Sequence, residues 1–398
     1  MGKTIYYGNT GLAKFGRSGN EGKTLAFYMN DNGTWEGIPF GHVRGSNAYE
    51  ENNGILTEVG VDVPRFQDGK YFTEDKATNT VLNSRPNATE NFDANISYEV
   101  MDIPFFGGNT NVVRYGDNSV SRGRYCGNRI LNTDFTFSAY VIMDDGSEPI
   151  IGGGDTAGTD FYLWTSAAIP LSNIGKENIP NTNIWRVWGY NQSGTNAGFN
   201  GIRTGTNANG KGFVCTQFDL VEGTNPSSPI LTTGSTATRQ ADTGIQSLVD
   251  LSNQINSEEG VFRMKVTQSS LEDSQFISVT DSVNYQNGCI DTQFLSNGSF
   301  RLQYRTTGNV AQFDYTSSVL DLETLNDIVF VYKESLFSIY INEVLAVEQL
   351  SGSVNPANTF KDIRLSRIDT GSSFNGTTDL LTLYPSIAEA QVNLPYIS

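Results

Sequence analysis

A chain of 398 residues with 43 acidic and 26 basic side chains carries a formal net charge of −17. That speaks against nucleic acid or an anionic membrane as partner, since both select clustered Lys and Arg. Three cysteines without CxxC spacing (Cys126, Cys215, Cys289) and a single histidine, His42, exclude a disulfide framework, a cysteine zinc site and His-based catalytic triads.

Charged residues make up only 17% of the chain, below the ~25% usual in soluble domains, and Asn, Thr, Ser and Gly fill the polar positions. MGKTIYYGNT at the start lacks the cationic and then apolar regions of a signal peptide, and no apolar run approaches the ~18 residues of a spanning helix. The chain is therefore expected to be made in a cytoplasm without Sec export. In chain order, TLAFYMN and GILTEVGV are weak strands in a Gly- and Asn-rich opening. FTFSAYVIM (135–143), IWRVWGY (184–190) and GFVCTQFDL (212–220) are strong, aromatic-rich strands. Asn-Gly pairs recur at 32–33, 53–54, 200–201, 209–210, 287–288, 297–298 and 375–376, each suited to a type I′ hairpin turn. EGTNPSSPILTTGSTATRQAD (222–242) has no helical period and few large apolar residues, and reads as a surface connection between two β-domains. In DIVFVYKESLFSIYINEVLAVE (327–348) alternation sets Ile328, Phe330 and Tyr332 on one strand and Phe337, Ile339 and Ile341 on the next, each set facing one way. The one persuasive helix follows Ser386, a residue type that caps helix N-termini.

Short strands with turn punctuation indicate sandwiches or barrels, not βαβ units. The expected fold is all-β: an N-terminal Gly- and Asn-rich region with a β-hairpin (1–84), which the resemblances below make an attachment region, a first antiparallel β-sandwich (85–240), which they make a jelly roll, and a second antiparallel sandwich (241–398) ending in one short helix.

Three stretches resemble known families. RGSNAYEENNGILTEVGVDVPRF (44–66) resembles an element of phage tail and head-fibre proteins through Arg44, Ser46, Ala48, Tyr49, Gly54, Leu56, Pro64 and Arg65. Thr78 and Asn79 correspond to the "TN" that follows, although YFTEDKATNTVLN departs from the usual hydrophobic continuation. TDFTFSAYVIMDDG, NIWRVWGYNQSG and GFVCTQFDLVEGT are similar to strands of carbohydrate-binding-module-like jelly rolls in the same proteins, and 222–242 is similar to their closing phrase. The part from 327 resembles laminin-G-like, concanavalin-type sandwiches, with Phe374, Gly376, Leu381 and Tyr384 matching their ending and Asn342-Glu343 replacing their Asn-Gly turn. The resemblance implies a structural protein of a tailed bacteriophage, a head or tail fibre or spike. It would dock on other virion proteins through its N-terminal region, work as a homo-oligomer (commonly a trimer), and present its sandwiches to host-surface glycans.

Candidate sites are few. Trp164, Trp185, Trp188 and Tyr190 are the candidate glycan-stacking aromatics, although in IWRVWGY the two tryptophans point to opposite faces, so at least one packs in the core. Asp155, Asp160, Asp369 and Asp379 are candidate Ca²⁺ ligands without EF-hand spacing. No catalytic residue is expected, since the acidic pairs at 144–145, 258–259 and 272–273 sit among turn formers. The rival readings are a concanavalin-type polysaccharide-degrading enzyme, which needs paired carboxylates, and a bacterial surface adhesin.

Overall fold

The computed structural model describes residues 26–29, 35–38, 40–52, 54–67, 70–74, 76–87, 96–116, 126–128, 133–152, 157–165, 171–191, 199–204, 209–242, 247, 250–268, 275–281, 287–321, 324–365 and 374–397. It is mostly strand, with several antiparallel sheets and one α-helix near the C-terminus. The chain divides into two compact units, neither continuous in sequence. One comprises residues 1–45, 60–75 and 241–398; the other comprises 46–59 and 76–240. The segment read as an attachment region over 1–84 is thus shared between the units. Register explains why: the strand Lys70–Thr73 pairs with the start of Gly376–Tyr384, and Ala26–Met29 pairs in parallel with the same strand.

Among its described residues the first unit has a nine-stranded and a five-stranded sheet. Between them lie Phe262, Met264, Phe330 and Leu381 from one sheet and Ile277, Ile290, Leu302 and Phe313 from the other. The alternation of 327–348 is realised. Ile328, Phe330, Tyr332, Phe337 and Ile339 enter this core with Ile341 packed against it, and the register sets Ile328 opposite Ile341 and Phe330 opposite Ile339. The other face of the nine-stranded sheet is covered by the helix Ile387–Asn393, through Ala390 and Leu394 against Val261, Val329 and Tyr384. Ser386 caps it: its Oγ accepts from the Glu389 N–H at 3.3 Å.

The second unit packs a six-stranded sheet on a four-stranded one. Phe135, Phe137, Val141 and Val187 of the first meet Phe161, Leu163 and Ile202 of the second. The outer face of the six-stranded sheet buries Tyr140, Val112, Ile184 and Val214 under Leu56 and the 3₁₀ turn Pro104–Phe106. Leu56 belongs to the hairpin of Ala48–Asn52 and Ile55–Val59.

Two expectations are corrected. Residues 222–242 carry the chain from one unit to the other but are not wholly at the surface: Ile230, Thr232, Arg239 and Asp242 are buried, and Ala237–Arg239 pairs with Ala77–Asn79. Few large apolar residues marked the stretch as surface, but its burial is achieved by polar groups with partners. The described Asn-Gly turns are also not type I′, which needs positive φ at both central residues. Only the glycine is left-handed at Gly210, Gly288 and Gly298, whereas Asn342 and Glu343, lacking glycine, have φ of 50° and 70°.

The buried polar partners coincide with the family-like residues. Within the first unit, Asp242 Oδ1 accepts from Arg44 Nη1 at 3.1 Å, and its Oδ2 accepts from Arg65 Nη2 at 2.5 Å and from the Glu74 N–H at 2.9 Å. Arg65 Nη1 donates to Glu74 Oε2 at 2.5 Å, and Arg44 Nη2 donates to the Gly60 carbonyl at 2.7 Å. His42 joins through Nε2, 3.3 Å from Asp242 Oδ1, while its Nδ1 lies 2.7 Å from the Tyr71 hydroxyl. Arg44, Gly60, Glu74 and Asp242 each lie within two residues of a point where the chain passes from one unit to the other. The network therefore gathers all the chain exits of this unit. Burial pulls the Arg65 guanidinium down, but Asp242 and Glu74 more than reverse this and hold it above its ordinary value; at Arg44 burial prevails over Asp242. In the second unit Asn79 is saturated. Its amide nitrogen donates to the carbonyls of Phe218 and Ile230 and to Asp219, and its oxygen accepts from the Val81 and Leu220 N–H groups.

Candidate functional site

The strand Phe161–Thr165 sends Phe161 and Leu163 into the core, so Tyr162 and Trp164 lie on the opposite face of the four-stranded sheet. The neighbouring strand Phe199–Arg203 sets Arg203 directly across from Tyr162. The Arg203 guanidinium carbon stands 5.9 Å from the Tyr162 ring centre and 5.5 Å from that of Trp164, cation–π range for both. Among the described residues no carboxylate pairs with Arg203. The arrangement sets one guanidinium beside two aromatic rings, with Trp164 only 6% and Tyr162 8% exposed. Planar Arg suits such contact and keeps N–H donors in a fixed fork. Sequence reading named Trp164 as a candidate glycan-stacking aromatic, whereas its ring is buried beside Arg203; Arg203 and Tyr162 were not named. The alternation in FYLWT was the available signal for Tyr162; for Arg203 there was none, because its place depends on strand register.

The other aromatic candidates do not join this group. Trp185 packs half-buried against the core between the two sheets, with the Lys176 ammonium 5.8 Å from its ring. Trp188 points to the other face, as the strand period requires, and spreads over Gly175 of the adjacent edge strand. A Cβ at Gly175 would sit 2.3 Å from its indole, so glycine is needed for that close approach. Tyr190 donates its hydroxyl to Asp134 Oδ2 at 2.8 Å, and its phenol is raised by desolvation and by that carboxylate.

Of the carboxylates, Asp155 and Asp369 lie outside the described residues. Asp160 is buried, with Oδ2 accepting from the Ile150 N–H at 2.7 Å and Oδ1 from Asn209 Nδ2 at 2.9 Å. Both oxygens are thus engaged in fastening two loops. Asp379 is exposed and belongs to the other unit. Among the described residues no three His, Cys, Asp or Glu side chains gather into a metal-sized group. Cys215 and Cys289 are buried and unpaired with each other, and burial pushes the Cys289 thiol up, away from reactivity.

No family model matches the chain, and no curated protein does. Among solved structures, the CBM40 of Ruminococcus gnavus IT-sialidase bound to α2,3-sialyllactose aligns at TM-score 0.29 and 13% identity, over 36% of this chain and 88% of its own. The native heptameric SAP-like pentraxin of Limulus polyphemus aligns at TM-score 0.27 and 11% identity, over 37% of this chain and 72% of its own. Domains LG4-5 of the mouse laminin α1 chain align at TM-score 0.24 and 6% identity, over 76% of this chain and 91% of their own. At these scores the likenesses reach no statement about what this chain binds.

Proposed function

We propose that this chain is a structural protein of a tailed-phage virion, a head or tail fibre or spike. In this reading it docks on the particle through its N-terminal residues, assembles as a homo-oligomer and offers its sandwiches outward to host-surface glycans. It acts by contact, without catalytic machinery. One observation supports the reading most. The residues that carry the fibre-protein resemblance, scattered over nearly 200 positions, act together as buried fasteners: Arg44, Arg65 and Asp242 in one network, Thr78 and Asn79 against residues 218–238. A resemblance whose residues fall into two interior hydrogen-bond groups is worth more than the same number of isolated matches. The amide- and hydroxyl-rich composition suits contact with saccharides.

Mass spectrometry of purified virions tests the location: the chain is expected at several copies per particle, and its absence from intact particles ends the structural-protein reading. A glycan array probed with the full chain, with and without chelator, tests the contact role. Release of reducing ends from any arrayed polysaccharide would instead favour an enzyme.

A further inference from the structure

The second unit contains a cleft of about 530 Å³ outside the aromatic–guanidinium group, within the roughly 300–1,000 Å³ of small-molecule sites. Its walls are the hairpin tip at Gly54, the corner where Ile96–Ile103 runs into the 3₁₀ turn, and the turn 180–184 between two strands of the six-stranded sheet. The floor is apolar, formed by Ile103, Phe105, Ile142 and Ile184, with the rings of Pro104 and Pro180 beside it. Thr182 lines the cleft together with three further polar side chains: the Asp102 carboxylate and the amides of Asn181 and Asn183. All three are exposed, and among the described residues none of them makes a hydrogen bond.

The backbone beneath these groups is fixed. Thr182 Oγ1 donates to the Ile179 carbonyl at 2.8 Å and accepts from the Ile184 N–H at 3.0 Å, and Asn178 Nδ2 donates to the carbonyls of Thr182 and Ile184. Asn181 occupies the left-handed region at φ 62°, which asparagine tolerates better than most residues. Gly54, at φ 73°, lets the hairpin tip close on this turn, since a Cβ there would stand 3.1 Å from the Pro180 carbonyl oxygen. The turn's own hydrogen bonds are thus satisfied while its outward amides stay available to a ligand, which would have to order those side chains but not the backbone beneath them.

We infer that this cleft binds a neutral saccharide of one or two sugar units, an inference that rests on the glycan-contact reading above. A carboxylate that only accepts, and two amides that both donate and accept, match the mixed needs of vicinal hydroxyls. Pyrrolidine and aliphatic surfaces match the C–H faces of a sugar ring. The lining holds no cation and one carboxylate, which disfavours sulfated or sialylated sugars.

The test uses the full chain, with methyl glycosides of glucose, galactose, mannose and N-acetylglucosamine, and lactose, maltose and cellobiose, as probes; sialyllactose is the anionic comparator. Saturation-transfer NMR reads binding, and methyl resonances of Met101, Ile142 and Ile184 report its place. At least one neutral sugar is expected to bind and to move those methyl signals. Asp102→Ala and the Asn181→Gly/Asn183→Ala double variant, all at exposed positions, should each weaken it about tenfold or more with melting little changed, since glycine keeps the left-handed turn at 181. If arrayed neutral glycans are held equally by wild type and both variants, or if only acidic glycans bind, the cleft assignment falls and glycan contact stands. If wild type binds no glycan on the array, the contact reading fails and the cleft assignment with it.

Discussion

Asp242 is fully buried between two guanidiniums, so its charge is matched only while both remain. Removing one partner of such a group leaves the others charged in a poorly solvating interior, a loss of about 3–5 kcal/mol. Asp242→Ala is therefore expected to lower stability by that amount, read by urea unfolding, and Asp242→Asn by a large part of it. A change below ~1 kcal/mol would mean that water, not Asp242, solvates Arg44 and Arg65. Glu343 offers the opposite case. At φ 70° in the turn after Leu336–Ile341 it holds a conformation that costs a non-glycine residue about 1 kcal/mol. Glu343→Gly should raise stability by up to that amount, less the extra entropy of glycine in the unfolded chain. A clear loss would show that Glu343 makes a compensating contact.

Elements differed in how far they could be read from sequence, for physical reasons. The hairpin 327–348 was legible because both strands are rich in β-branched and aromatic residues, as strands covered on both faces must be, here by the opposing sheet on one side and the C-terminal helix on the other. The C-terminal helix was legible because Ser386 and Glu389 form a local cap within four residues. Turn type was not: φ at Asn209, Asn287 and Asn297 is set by the strands on either side, so the Asn-Gly pair fixed only the glycine. The burial of 222–242 was invisible, because Thr232 and Asp242 enter the interior through partners far away in sequence, Ser84 for one and Arg65 for the other. Of the candidate site, Trp164 was legible as an aromatic on a strand. Its guanidinium was not, since Arg203 meets it only through the pairing of two distant strands.

At the scale of the molecule, buried phenols set an alkaline limit. Tyr71, Tyr140, Tyr304 and Tyr332 are raised by desolvation, and Tyr396 is pushed up to about 12, first by burial and then by Asp327. A group that holds its proton more tightly when folded contributes stability that is intact below its unfolded value and falls above it. Melting temperature should therefore hold up to about pH 10, the ordinary phenol value, and decline steadily towards pH 12. A flat profile to pH 11.5 would show that these phenols titrate alike folded and unfolded. The division of the chain makes a second prediction. The fragment 241–398 lacks Lys70–Thr73, which pairs with Gly376–Tyr384, and lacks Tyr71 and Phe66 from the core. It should not fold cooperatively alone, as seen by near-UV circular dichroism, whereas adding residues 26–75 in trans should restore part of the signal. A cooperative melt of the fragment by itself would show that those strands are dispensable.

Because Ala26 and Ile397 belong to the same unit, with the other unit threaded in as two insertions, the molecule has an unequal response to tension. A tether pulled between these two residues loads the first unit directly, and reaches the inserted segments only through the points where they leave it. The Asp242 network joins the points where the insertions leave, so it acts as the shunt. Until it ruptures, stretching should produce a single event that leaves the inserted body intact.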